Sequence, residues 1–125
     1  MLETGVDIIE IQRVERAVAR YGQRFLDRVY TPLELEQCRG RTESLAARFA
    51  AKEAAFKVLG VRVAWRDVEV RRETSGKPRV VLHGRARATA DRLSLGSWSV
   101  SLSHDRGHAV AVVVALGRER ADSEV

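Results

Sequence analysis

With 125 residues, the chain can form one domain with a real core but is too short for two. Its formal net charge of +5 and isoelectric point near 10.1 point to a polyanionic partner, whether nucleic acid, a phosphorylated small molecule or an acidic protein. The single cysteine, Cys38, excludes an internal disulfide and a cysteine-based metal site, and no stretch has the length of a membrane span or the basic start of a signal peptide, so a reducing cytoplasm is the expected setting.

Gly5 to Ile11 reads as a strand. Val6 and Ile8 point one way and Asp7, Ile9 and Ile11 the other, so both faces are apolar and an interior strand is predicted. Asp7 interrupts its face, and a carboxylate there needs an arginine, a lysine or a metal ion with its waters. Helical spacing runs from Gln12 to Tyr21, and the apolar stripe Val14, Ala17, Val18, Tyr21 continues to Phe25 across Gly22. Beside it lie Arg13, Arg16, Arg20 and Arg24. Like charges at this spacing repel, so the ridge predicts an acidic partner; the alternative is a solvated face.

Thr31-Pro32-Leu33-Glu34 has the N-cap threonine, first-turn proline and third-position glutamate of a capping box, and starts a short helix to Cys38. The longest helical pattern spans Thr42 to Leu59 and stops at Gly60. Leu45, Phe49, Phe56 and Leu59 fall on one stripe, which predicts the core-facing side. Lys52 lands on that stripe and Glu53 beside it, so both are expected at the border of the buried face, with the alanines turned to solvent or a neighbouring helix. An i,i+4 pair with Lys57 accounts for Glu53 but leaves Lys52 without a partner.

Strands follow. Val68 and Val70, then Val80 to Leu82, flank a hairpin loop from Glu73 to Pro78, and Gly84 to Leu93 is a polar helix. Trp98, Val100 and Leu102 alternate with serines in a half-buried strand, Asp105-Arg106-Gly107 turns it, and Ala109 to Leu116 is an apolar run suited to a central strand. Residues 1–116 are expected to be one α+β domain with an antiparallel sheet and one long helix, and residues 117–125 a charged tail.

Four segments together carry a resemblance: Gly5-Val6-Asp7-Ile8-Ile9-Glu10-Ile11, Arg48-Phe49-Ala50-Ala51-Lys52-Glu53-Ala54, Ser75-Gly76-Lys77-Pro78 and Ser99-Val100-Ser101-Leu102-Ser103-His104. In order and spacing, over residues 5–116, the chain resembles the holo-acyl-carrier-protein synthases, the small 4'-phosphopantetheinyl transferases. The resemblance implies their fold and a magnesium-dependent enzyme that moves 4'-phosphopantetheine from coenzyme A to a serine of apo acyl carrier protein, releasing adenosine 3',5'-bisphosphate. It implies magnesium on Asp7 and Glu53, and Lys52 facing the phosphates. Lys57, Lys77, Ser103 and His104 would contact coenzyme A phosphates or ribose, with Arg48 near the 3'-phosphate. By the same resemblance the carrier protein docks on the arginine ridge, with Phe25 as an apolar anchor or a core residue, and the active site lies between neighbours of a homotrimer that needs neither nucleic acid nor a membrane.

Some positions depart from the family pattern. Ile9 stands where larger relatives of the superfamily place a second acidic residue, and Asp105 follows His104, where a carboxylate would repel phosphate unless it points away. The rival reading is a small basic RNA-binding α+β module. It lacks paired exposed aromatics for base stacking, aromatics being only 6% of the chain, and it leaves Asp7 unexplained.

Overall fold

The computed structural model describes residues 1–118 and is built around one helix. Strand β1 (Leu2–Glu10) leads into helix α1 (Ile11–Tyr21), followed by α2 (Gln23–Val29), α3 (Pro32–Cys38) and the long α4 (Thr42–Leu59). A 3-10 turn (Trp65–Asp67) precedes the hairpin β2 (Val68–Arg72) and β3 (Pro78–Leu82). Helix α5 (Gly84–Arg92) and strands β4 (Leu95–His104) and β5 (His108–Gly117) complete the order. The fold is α+β with antiparallel pairing throughout, in two sheets: β1-β5-β4, and the separate pair β2-β3.

The expected central strand is central. β5 pairs with β1 on one side and β4 on the other, and its buried residues Ala109, Ala111, Val113 and Ala115 all point to α4 or the core. β1 differs from expectation: it is an edge strand in this chain, and only its odd-numbered face is covered, by α4. Val6 and Ile8 face outward, so the second apolar face indicates an exposed surface where an interior strand was predicted.

The arginine ridge is also interrupted. Gly22, at φ 58° and ψ −133°, ends α1 and starts a new helix, leaving Arg13, Arg16 and Arg20 on α1 and Arg24 on α2. Apolar spacing continued across the glycine, but the backbone did not, since a φ in that region is open mainly to glycine.

After its first turn α4 meets solvent only at Glu53 and Lys57. The stripe of Phe49 and Phe56 packs on Trp65 and, through Phe49, on Phe25, while the alanine side lies against the sheet. The alanines, expected to face solvent or a neighbouring helix, face the sheet instead: Ala46, Ala50, Ala51, Ala54 and Ala55 are fully buried, because small side chains let the strands approach the helix backbone. Gly5 makes the closest approach. A Cβ there would run into the Ala54 carbonyl oxygen and press on Val58. The capping box at the start of α3 forms as predicted, with Thr31 Oγ1 accepting from Glu34 N at 3.2 Å and Glu34 Oε1 accepting from Thr31 N at 2.9 Å.

Gly5→Ala should therefore lower the folding free energy by about 1–3 kcal/mol, the usual penalty of overpacking against backbone that cannot yield. Urea unfolding followed by circular dichroism measures it.

Candidate active site

Between Leu45 and Leu59 every residue of α4 is buried except two, Glu53 and Lys57. One helical turn apart, they open the only window through which that stretch of the helix meets solvent, and β1 delivers Asp7 to the same place. Asp7 occupies the α4-facing side of its strand between the buried Gly5 and Ile9. Lys57 Nζ stands 3.2 Å from Asp7 Oδ1 and donates to the Val6 carbonyl at 2.7 Å. The partner that the sequence required for Asp7 is thus a lysine, and the expected Glu53–Lys57 pair gives way to a bond across to the strand. Glu53 is held instead by Arg62, at 3.3 Å from Oε2.

Both carboxylates keep part of their surface open, 21% for Asp7 and 19% for Glu53, and each is paired with a far more exposed cation. Two hard oxygen donors on rigid elements, with room for waters, suit magnesium, which takes one or two carboxylates and completes its shell with water and substrate oxygens. The donor set fits that ion. The clearest signal for Arg62 in the sequence was a lone cation just past the Gly60 cap, which no spacing argument tied to Glu53.

Lys52 corrects its expectation. It is completely buried, and its ammonium donates to Glu34 Oε1 at 2.9 Å, the Trp65 carbonyl at 3.1 Å and the Val68 carbonyl at 2.5 Å. All three protons are used, so the group cannot face a phosphate from there. Burial pulls its pKa below the ordinary lysine range, against the upward pull of Glu34. The sequence placed Lys52 at a border because it assumed that α4 had an exposed side.

Arg48 is likewise mostly interior, bonded to the Val70 carbonyl at 3.1 Å, Cys38 Sγ at 3.1 Å and Gln37 Oε1 at 3.0 Å. It also lines a cleft of about 230 Å³ with Ser44, Arg72, Gly76, Pro78 and His104. Arg72 and Ser44 were not singled out in the sequence; Arg72 reads there only as a strand end. Lys77 lies exposed in the hairpin loop beside Gly76, and Ser103 and His104 are exposed at the end of β4. Asp105 is not among the residues that line this cleft. Its Oδ1 accepts from His108 N at 2.7 Å and Gly107 N at 2.8 Å, and these backbone donors hold its carboxyl below the usual range.

The structure thus brings Asp7, Glu53 and Lys57 together and gathers Arg48 and His104 at a separate cleft. Among the described residues no hydrogen bond or ion pair joins the two groups. Along α1 and α2, Arg13, Arg16, Arg20 and Arg24 are exposed, and none forms an ion pair with a carboxylate among the described residues. Phe25 is half-buried, stacked on Phe49 at 6.3 Å and edge-on to Tyr30 at 6.1 Å.

The model of the 4'-phosphopantetheinyl transferase superfamily matches residues 3–113. This chain belongs to that superfamily. The holo-[acyl-carrier-protein] synthase of Herpetosiphon aurantiacus is 52% identical over 127 residues, covering 94% of this chain and all of its own length. That of Moorella thermoacetica is 53% identical over 122 residues, covering 93% of each. The crystal structure of the Helicobacter pylori holo-[acyl-carrier-protein] synthase in complex with coenzyme A superposes with a TM-score of 0.83 at 34% identity, over 90% of this chain and 99% of the other. Within this chain the buried Lys52 is a structural member of the helix, bonded to Glu34 and two backbone carbonyls.

Lys52→Met should accordingly act on stability. It strands Glu34 as an unpaired buried charge, with a loss of about 3–5 kcal/mol, while turnover per folded molecule is retained. Denaturant titration alongside activity normalised to folded protein separates this from a role at the phosphates.

Proposed function

We propose that the protein is a holo-[acyl-carrier-protein] synthase that transfers 4'-phosphopantetheine from coenzyme A to a serine of apo acyl carrier protein, with magnesium required and adenosine 3',5'-bisphosphate released. The observation that carries this reading is the window on α4, where Asp7, Glu53 and Lys57 are the groups that an otherwise closed helix and its neighbouring strand leave accessible. Magnesium held there would neutralise diphosphate charge as the leaving bisphosphate departs. Asp7 and Glu53 would be its ligands. Lys57, anchored to Val6, brings a cation to the same phosphates without leaving its backbone bond. The carrier serine attacks the β-phosphorus in line, the phosphorus–oxygen bond to the bisphosphate breaks, and a window carboxylate accepts the serine proton directly or through a water.

Arg48, Arg72 and His104 line a cleft suited to the phosphorylated ribose of coenzyme A, with Lys77 and Ser103 close to it in sequence. That cleft and the carboxylate window are separate features of one chain, which supports a site shared between copies. A homotrimer is further supported by the outer face of the β1-β5-β4 sheet, where Leu2, Val6, Ile8, Val112 and Leu116 are 40–65% exposed, an apolar patch on the scale that marks an interface. The exposed arginines of α1 and α2 suit an acidic carrier protein. A cytoplasmic setting belongs to the same proposal; separately, no described helix is long and apolar enough to cross a membrane.

Incubation with coenzyme A, magnesium and apo acyl carrier protein should yield carrier protein heavier by one phosphopantetheine in the mass spectrum, and no mass change would overturn the reading. Asp7→Asn and Glu53→Gln should each abolish transfer with folding unimpaired, whereas near-normal turnover of either at saturating magnesium would remove it from the ligand set. Arg13→Ala should raise KM for the carrier protein and flatten its salt dependence with little change in maximal turnover, as expected when a rim charge steers encounter.

A further inference from the structure

Arg62 belongs to none of the motifs, yet it is the residue that engages Glu53. Its Nη2 lies 3.3 Å from Glu53 Oε2 and 3.5 Å from Oε1, so it addresses both oxygens that a cation would take. The guanidinium is also positioned from behind, with its carbon 5.7 Å from the Phe56 ring centroid and 5.5 Å from that of Trp65. These aromatic faces fix its direction without a hydrogen bond. At 67% exposure it remains a surface pair, weak enough for a divalent ion to displace. Lys57 is different, because its bond to the Val6 carbonyl tethers it whether or not Asp7 is occupied.

We propose that Arg62 is an exchangeable counter-ion for Glu53: it holds the carboxylate while no metal is bound, yields it to the divalent cation, and places the freed guanidinium on a phosphate of coenzyme A. The inference rests on Asp7 and Glu53 being the cation ligands. Arginine stays protonated at any working pH, so the exchange involves no proton transfer and is governed by relative affinity alone. Its planar fork can then take two phosphate oxygens, which a lysine cannot do. Cation and substrate binding become coupled through one side chain: the ion that neutralises the diphosphate also releases a second positive group toward it.

Trp65 supplies a reporter, since the guanidinium rests against its ring. In a Trp98→Phe background, where Trp65 is the only tryptophan, magnesium alone should shift the emission as Arg62 leaves. Adding Arg62→Ala should abolish that shift and tighten magnesium binding about two- to fivefold by calorimetry, the range expected when a surface ion pair no longer competes. Coenzyme A should bind several-fold more weakly to the same variant at saturating magnesium. Arg66→Ala, an exposed arginine nearby, should change none of these. A magnesium-induced emission shift that persists in Arg62→Ala with unaltered magnesium affinity would overturn the proposal while leaving the cation site standing, as would an equal tightening in Arg66→Ala, which would assign the effect to the general field. Magnesium failing to bind the free unsubstituted protein would overturn the proposal, and its failing to bind the coenzyme A complex as well would overturn the ligand assignment beneath it.

Discussion

The buried ion pair of Lys52 and Glu34 is the constraint on which the rest of the molecule depends. Glu34 Oε1 takes Lys52 and Thr31 N, and its Oε2 takes Val70 N at 2.8 Å, while Lys52 also binds the carbonyls of Trp65 and Val68. One carboxylate and one ammonium therefore join α3, α4, the 3-10 turn and β2. Each group alone would be costly so far from water, and each is stable there only because the other, with backbone partners, completes its hydrogen bonding. A glutamate that reads in sequence as an ordinary helix cap is at the same time the anchor of the longest helix.

With α4 fixed in this way, its neighbours can close on it from every side. Bulky rings fill the space toward α2 and the 3-10 turn, and alanines allow the sheet to lie close on the other side. Gly5 extends the same logic to the strand, where even a methyl group would meet the helix backbone. The consequence for chemistry is that, past the first turn of α4, its charged groups reach solvent only where the wrapping stops, at Glu53 and Lys57, and Asp7 is presented at the same gap.

Much of this was legible in the residues. Turn and cap signals such as Thr31-Pro32, Gly60 and Ser75-Gly76 located the element ends, because their backbone demands are local. The central position of Ala109 to Leu116 followed from its unbroken apolar run. What failed was inference about which faces are covered. A periodic stripe says that one side is buried and is silent on whether the other is, so Lys52 was assigned to an edge and β1 to an interior. The arginine ridge was carried across Gly22 for a related reason: side-chain spacing can continue across a backbone break. Arg62 was invisible because its meaning comes from Phe56 and Trp65 beneath it, a contact between segments that periodicity does not encode.

A helix wrapped almost all round has few inexpensive local openings, so its amides are expected among the slowest in the domain to exchange with solvent. Glu53 is mounted on that helix, so its backbone position is as durable as the fold. Whatever adapts to the shape of an incoming substrate must be the long side chains at the perimeter, while the carboxylate behind them acts as a fixed reference point.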